Sequence, residues 1–152
     1  MIEALVNSQL VLYGLFAIVL ATVIWHFYER RIDKRIFQKD RTGVFRNLHA
    51  RTALYAFDHV NNIVPVDVRS EEEFRDGHIP GAINATYHDK QLNADELEKL
   101  DRNTPILIYC EGGYASRLVI DSVKALGFHT IYHIHRGFKS WQFFGGAVEH
   151  TG

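Results

Sequence analysis

The chain has a single cysteine, Cys110, in 152 residues. It therefore has no internal disulfide, and no disulfide framework can hold the fold together. One free thiol fits a reducing compartment. Basic charge is also not in excess. There are 17 lysines and arginines against 18 acids, a net charge of −1, whereas a general nucleic-acid binder needs a basic face. Internal repeats and low-complexity tracts are absent. The sharpest absence is local. Between Glu3 and Glu29 there is no acid, lysine or arginine, and the first nine residues carry no basic side chain.

That uncharged stretch contains LVLYGLFAIVLATVIWHFY, residues 10–28. Its length suits a helix crossing a bilayer, which takes about 20 apolar residues. Trp25 and Tyr28 stand at one end, where an interfacial aromatic belt belongs. A cleaved signal peptide would need a basic start and a shorter apolar run. A buried core helix is rarely apolar on every side over such a length. Next comes ERRIDKRIFQKDR, with six basic residues against three acids. The positive-inside rule then puts everything after residue 29 in the cytoplasm. Each basic residue there would favour anionic headgroups by up to about 1 kcal/mol. Ala17 and Ala21 form a small-xxx-small pair that would support at most a weak homodimer. The expected organisation is a transmembrane helix over 1–28, a basic juxtamembrane linker over 29–42 and a folded domain over 43–152.

From residue 43 the pattern alternates. GVFRNL reads as a strand, ARTALYAFDHV as a helix with Leu54 and Phe57 on one face, and IVPVDV as a strand. Pro65 implies an edge or irregular position for that strand. Ser70 followed by Glu73 is a capping box that starts a helix. NADELEKL is a brief helix capped by Asn93. PILIYC is almost wholly apolar, as expected at the centre of a parallel sheet covered on both faces. SRLVIDSVKALG is a helix stopped at Gly127, HTIYHI a strand, and FKSWQFFGG a last helix. Strands alternating with helices predict an α/β domain with a central, mostly parallel sheet flanked by helices.

Cys110 ends the apolar strand and is followed by EGGYA and a helix. In open parallel sheets, ligands bind beyond the carboxyl ends of the strands. A short loop there can turn successive N–H groups inward as a nest. Gly112 and Gly113 allow the backbone angles this needs. The start of the next helix adds partial positive charge. Such surroundings favour a sulfur anion and hold an anionic ligand beside it. The competing reading is a small buried hydrophobe, the commonest state of a free cysteine.

These segments together resemble the rhodanese family of sulfurtransferases. VPVDVRSEEEFRDGHIPGAINA is similar to the family's first signature. PILIYCEGGYASRLVIDSVKALGF is similar to its strand, active-site loop and helix, and IYHIHRGFKSWQFFGGAV to its closing strand, glycine turn and tryptophan-bearing helix. The resemblance covers roughly residues 44–149. A transmembrane helix ahead of one such domain resembles membrane-associated bacterial members, which implies the bacterial inner membrane. It also implies that Cys110 is the nucleophile that takes a sulfane sulfur from thiosulfate or a persulfide, holds it as a persulfide, and yields it to a thiol or cyanide. The loop Glu111, Gly112, Gly113, Tyr114, Ala115, Ser116 and Arg117 would bind substrate. Asp67, Arg69 and Arg136 would stand behind it. Neither metal nor organic cofactor is implied.

Three departures bear on the substrate. Many members carry a basic loop residue where this chain has Ala115, and here the nearest base is Arg117. Glu111 puts an acid directly after the nucleophile, a like charge that costs roughly 2 kcal/mol at an effective dielectric near 20. Thiosulfate, a dianion, is then disfavoured against a protein persulfide or a neutral persulfide carrier. Arg136, standing where a glycine often precedes Gly137, would offset Glu111 if it faced the pocket.

Other residues read as structural. Asp67 and Arg69 suit charge-assisted hydrogen bonds that order a strand end, and His78 and Pro80 suit a turn. His133 and His135 alternate on a strand and share a face, but no third ligand for a metal lies nearby. His88 and Asp89 fit a surface loop, and Trp141, Phe143 and Phe144 fit packing. Two other functions compete. A cysteine phosphatase or arsenate reductase needs Cys-x5-Arg, but Ser116 holds that position and Arg117 comes one residue late, turned by about 100 degrees on a helix. A catalytically silent rhodanese-like module for binding or sensing at the membrane is favoured by Glu111 and the missing loop base.

Overall fold

A computed structural model describes residues 2–39 and 43–151. The end of the basic linker, residues 40–42, and the terminal residues 1 and 152 lie outside the described residues. The chain divides into two units, Met1–Arg41 and Thr42–Gly152. The first contains one helix, α1 (Ile2–Lys39), so the basic segment through residue 39 continues the helix of the apolar run. Within it Gln9–Tyr28 is long and apolar enough to cross a membrane, and none of that span is buried.

The second unit is built around β6 (Ile106–Tyr109), whose four side chains are fully buried. β6 lies between β2 (Val64–Asp67) and β7 (Ile131–Ile134). β1 (Phe45–Leu48) and β3 (Ile83–Asn84) complete a five-stranded sheet in the order β1-β7-β6-β2-β3. Every pairing in it is parallel. A fully apolar strand at the centre follows from helices covering both faces. On one face, α2 (Ala50–His59) and α7 (Gly137–Phe143) pack through Ala53, Phe138 and Trp141 onto Leu107, Tyr109 and Ile134. Because strand side chains alternate, Ile106, Ile108 and His133 face the other way.

Pro65 is not on an edge strand, since β2 has neighbours on both sides. Val64 N–H donates to Pro105 O toward β6, so the nitrogen of Pro65 faces the β3 side. There β3 pairs only with Val66 and Asp67, and no ladder bond is lost at Pro65. The capping box at Ser70 starts α3 (Glu71–Asp76). In α4 (Asp95–Glu98) the N-cap is Ala94, one residue later than expected, and Asn93 Oδ1 accepts from Asp95 N–H at 3.1 Å from the position before it. The helix after Cys110 is two short pieces, α5 (Ala115–Leu118) and α6 (Ile120–Ala125). In α2 the buried positions are Ala50, Ala53 and Ala56, with Leu54 and Phe57 only partly buried against the core. A hairpin of β4 (Tyr87–His88) and β5 (Gln91–Leu92) has no counterpart in the sequence reading. Its turn places Asp89 and Lys90 at φ 48° and 64°, as a type I′ turn requires, without the Asn-Gly or Asp-Gly that usually reveals one.

Candidate active site

Cys110 follows β6 directly, at the carboxyl end of the central strand. Its Sγ receives the N–H of Gly113 at 3.2 Å and the N–H of Ser116 at 3.4 Å, with Ser116 Oγ at 3.3 Å. The residue is 5 % exposed, yet it forms part of the floor of an open cavity of about 410 Å³. Glu111 and Gly112 continue the floor, and Tyr114 and Ala115 form one wall. Arg69, Ser70 and Glu73 come from the β2–α3 junction, and Thr86, Tyr87 and His88 from the hairpin strand β4 and the residue before it.

The loop is shaped from behind. Phe138 N–H donates to Cys110 O at 2.8 Å and Lys139 N–H to Glu111 O at 3.2 Å. Those two carbonyls therefore point at the first turn of α7. In a planar trans peptide the N–H points opposite its carbonyl, so the N–H groups of Glu111 and Gly112 turn away from α7. Gly137 makes this approach possible. At φ 60° it lies so close that a Cβ there would sit 2.1 Å from Cys110 O. Gly113, at φ 85°, is pressed against the Arg136 backbone, where a Cβ would meet N at 2.7 Å. Gly112 has open space around it. The helix-dipole contribution expected from the sequence is small, because α5 is a single turn; individual N–H groups hold the sulfur.

Arg117 is 4 % exposed and donates through Nε to Gly113 O at 2.8 Å. It braces the loop from inside and does not line the cavity. Ser116, fully buried beneath the sulfur, also lies behind the lining. Arg136 is exposed, in left-handed backbone at φ 63°, and is not part of the cavity wall. The charges beside Glu111 belong to Arg69, with Nη1 3.1 Å from Oε2, and to Lys139, with Nζ 3.6 Å from Oε1. Lys139 was not singled out in the sequence; its place two residues after Gly137 in the helix docked on the loop was the available signal.

Asp67 and Arg69 form a buried pair that ties β2 to this loop. Arg69 Nη2 lies 2.7 Å from Asp67 Oδ2 and donates to Gly77 O at 2.6 Å, while its Nε reaches both carboxylate oxygens. The guanidinium carbon stands 4.3 Å from the centre of the Phe138 ring. Burial opposes the charge, but the hydrogen bond and attraction from Asp67, with further pull from Tyr109 and Glu111, outweigh it and hold Arg69 above its ordinary range. Burial likewise pushes the Tyr109 phenol up, and its oxygen accepts from Ile79 N–H at 3.1 Å.

The remaining sequence candidates separate clearly. His78 is buried and bonded to Phe74 O at 2.8 Å, next to Pro80 in the turn. His88 and Asp89 are on the exposed hairpin, with His88 at the cavity rim. Trp141 is fully buried and donates to Ala147 O at 2.9 Å. Phe143 is 81 % exposed and so packs on no core; its ring meets that of Phe144 edge to face. His133 is fully buried, its Nε2 2.8 Å from Ser116 Oγ and its Nδ1 2.8 Å from Asn47 Oδ1. Burial, followed by the charge of Arg117 and by His135, lowers its pKa to about 3. Asn47 was missed in the sequence, where one polar residue in a short strand carries no signal of its partner.

Comparison with known proteins agrees with this architecture. A thiosulfate sulfurtransferase, GlpE, of Coxiella burnetii is 31 % identical over 53 % of this chain and 73 % of its own. The Bacillus subtilis protein YqhL, described as uncharacterized, is 24 % identical over 94 % of this chain and 97 % of its own. A Rhodopseudomonas palustris structure, described as of unknown function and a possible tyrosine phosphatase, superposes with a TM-score of 0.58 at 25 % identity, covering 78 % of this chain and 93 % of that one. The rhodanese-like domain family matches residues 51–143, which run from α2 to α7 and hold four of the five sheet strands, and the chain belongs to that family.

Proposed function

We propose that the second unit is a sulfurtransferase working through a persulfide on Cys110. The observation that carries this reading is the setting of Cys110. The residue lines an open cavity, and its sulfur accepts N–H groups from Gly113 and Ser116. In the first half-reaction the Cys110 thiolate attacks the outer sulfur of a donor. A Cys–S–S⁻ bond forms, the donor's sulfur–sulfur bond breaks, and the donor leaves with that electron pair, as sulfite in the case of thiosulfate. In the second, a thiolate or cyanide attacks the outer sulfur and the Cys110 thiolate is released. The N–H groups stay aimed at negative charge throughout. The names of the GlpE relatives support the reaction class.

The cavity favours a persulfide donor over thiosulfate. Among the described residues Arg69 is the only lysine or arginine lining it, and that guanidinium is engaged by Asp67 and Glu111. Position 115 contributes a methyl group. Phosphatase chemistry is less suited, since Ser116 occupies the place of its arginine and Arg117 is turned onto Gly113 O. The same Glu111 and Ala115 favour a second reading, a silent module that binds without transferring sulfur. We further propose that α1 anchors the chain in a bacterial inner membrane, with the basic residues after the span keeping the second unit cytoplasmic.

Intact-mass measurement after incubation with thiosulfate or a small persulfide decides between these readings. Gain of one sulfur atom by the native chain, and none by Cys110→Ser, is expected. No gain from any donor would leave the silent module. Turnover of an aryl phosphate would point to the phosphatase.

A further inference from the structure

Two neighbouring strands line up polar side chains behind the nucleophile, which follows a third. Ile108 of β6 pairs with His133 of β7, and His133 pairs with Asn47 of β1. Alternation puts Cys110, two residues after Ile108, on the same sheet face as His133 and Asn47. Ser116 closes the row. Its Oγ is 3.3 Å from Cys110 Sγ and 2.8 Å from His133 Nε2, and His133 Nδ1 is 2.8 Å from Asn47 Oδ1. Asn47 Nδ2 lies 3.5 Å from Nδ1 of the half-buried His135.

We infer that His133 and Asn47 are positioning residues for Cys110, deciding through Ser116 whether a hydroxyl donates to the sulfur. The inference rests on the sulfurtransferase reading of Cys110. Its core is a count of protons. Ser116 has one hydroxyl hydrogen and two acceptors in reach, Sγ and Nε2. Burial keeps His133 neutral, so its ring carries one N–H. With that hydrogen on Nδ1, Asn47 Oδ1 accepts it, Nε2 takes the Ser116 hydroxyl, and Ser116 offers the sulfur only lone pairs. This suits a thiol donating S–H to Oγ. With the hydrogen on Nε2, Ser116 Oγ accepts it and the hydroxyl turns to the sulfur. This suits a thiolate or persulfide. The second arrangement is satisfied when the Asn47 amide turns its NH₂ toward Nδ1. Asn47, with a donor and an acceptor on one group, serves both. An aspartate or leucine there would serve at most one.

Two measurements on the full chain in detergent test this. Because Cys110 is the only cysteine, iodoacetamide alkylation followed by intact mass reports on it alone. Ser116→Ala should slow alkylation at neutral pH by about tenfold, whereas His133→Leu, which leaves the Ser116 hydroxyl with Sγ in place of Nε2 to donate to, should speed it about fivefold. The double variant should be slowed about tenfold, like Ser116→Ala alone, because His133 acts on the sulfur through that hydroxyl. His133→Gln, which keeps a donor toward Ser116, should stay within about threefold of the native rate. Native-rate or slowed alkylation of folded His133→Leu, or a further effect of His133→Leu in the Ser116→Ala background, would overturn the inference. Should His133→Leu fail to fold, nitrogen NMR of the native chain gives the answer. The ring hydrogen of His133 should move from Nδ1 to Nε2 when the thiol is ionised, and a fixed tautomer would overturn the inference. Neither readout uses a sulfur donor. A chain that alkylates as described but gains no sulfur would refute the transfer reaction and leave the positioning chain intact.

Discussion

The carboxylate of Glu111 sits beside the nucleophile, yet its charge is shared with Arg69 and Lys139. The repulsion expected from the sequence is therefore smaller than for a lone acid, because both cations lie within ion-pair reach. Removing the charge frees Arg69 Nη1 to face the cavity. Glu111→Gln should raise kcat/KM for thiosulfate roughly fivefold, on the order of 1 kcal/mol, with less change for a neutral persulfide donor. Steady-state kinetics with both donors check this, and equal changes would remove the electrostatic reading. Glu111→Arg is a harsher test, since it sets a third cation against Arg69 and Lys139. His133 gives a prediction in pH. Its folded pKa, about 3, is below the ordinary value of 6.5. Below pH 6.5 the unfolded chain binds a proton that the folded chain refuses, so stability present above that pH is lost as pH falls toward 3. Denaturant unfolding of the native chain and His133→Gln between pH 7 and 4 should show the steeper acid loss in the native chain.

Among the elements, the contact that matters most is the first turn of α7 against the loop after β6. It aims two carbonyls backward and so frees the opposite faces of their peptides for an anion. The contact depends on Gly137, where any Cβ would strike Cys110 O, and on Gly113, where one would strike the Arg136 backbone. Gly137→Ala should cost about 3 kcal/mol or more, through overlap with backbone and left-handed strain, and should abolish sulfur loading. Gly112→Ala meets nothing within 4 Å and should leave stability within about 0.5 kcal/mol. Thermal unfolding of the two variants makes the comparison. Equal losses would mean that flexibility of the glycine pair, and not close approach at Gly137, is what the loop needs.

At the scale of the whole molecule, a helix with an uncharged stretch over residues 4–28 is joined to a unit with its own buried sheet. Such a helix has no polar face to offer water, and a bilayer is the solvent that suits it. The full chain should sediment with membranes and resist extraction by alkaline carbonate, whereas residues 43–152 should remain in the supernatant. Protease added to spheroplasts should leave the second unit intact, and protease added to inverted vesicles should digest it. The opposite pattern would reverse the proposed orientation.

Much of this was legible from residue order alone. Apolar periodicity, the Ser70–Glu73 capping box and the all-apolar PILIY determined the helices, the central strand and the position of Cys110 at its end, because these are local consequences of side-chain alternation and backbone capping. The length and lack of charge of residues 10–28 likewise determined a helix fit for a membrane. What lay across strands was not legible. The sequence treated Gly112 and Gly113 alike, and tertiary contact with Arg136 separates them. It placed Arg117 in the pocket and Arg136 near its mouth, while folding turned Arg117 onto Gly113 O and gave the place beside Glu111 to Arg69 and Lys139. It left Asn47 unremarked, though sheet register sets it against His133, 86 positions away in the chain. Local sequence fixes backbone conformation through short-range sterics and hydrogen bonds, but which side chains meet around Cys110 depends on the order in which distant strands pair.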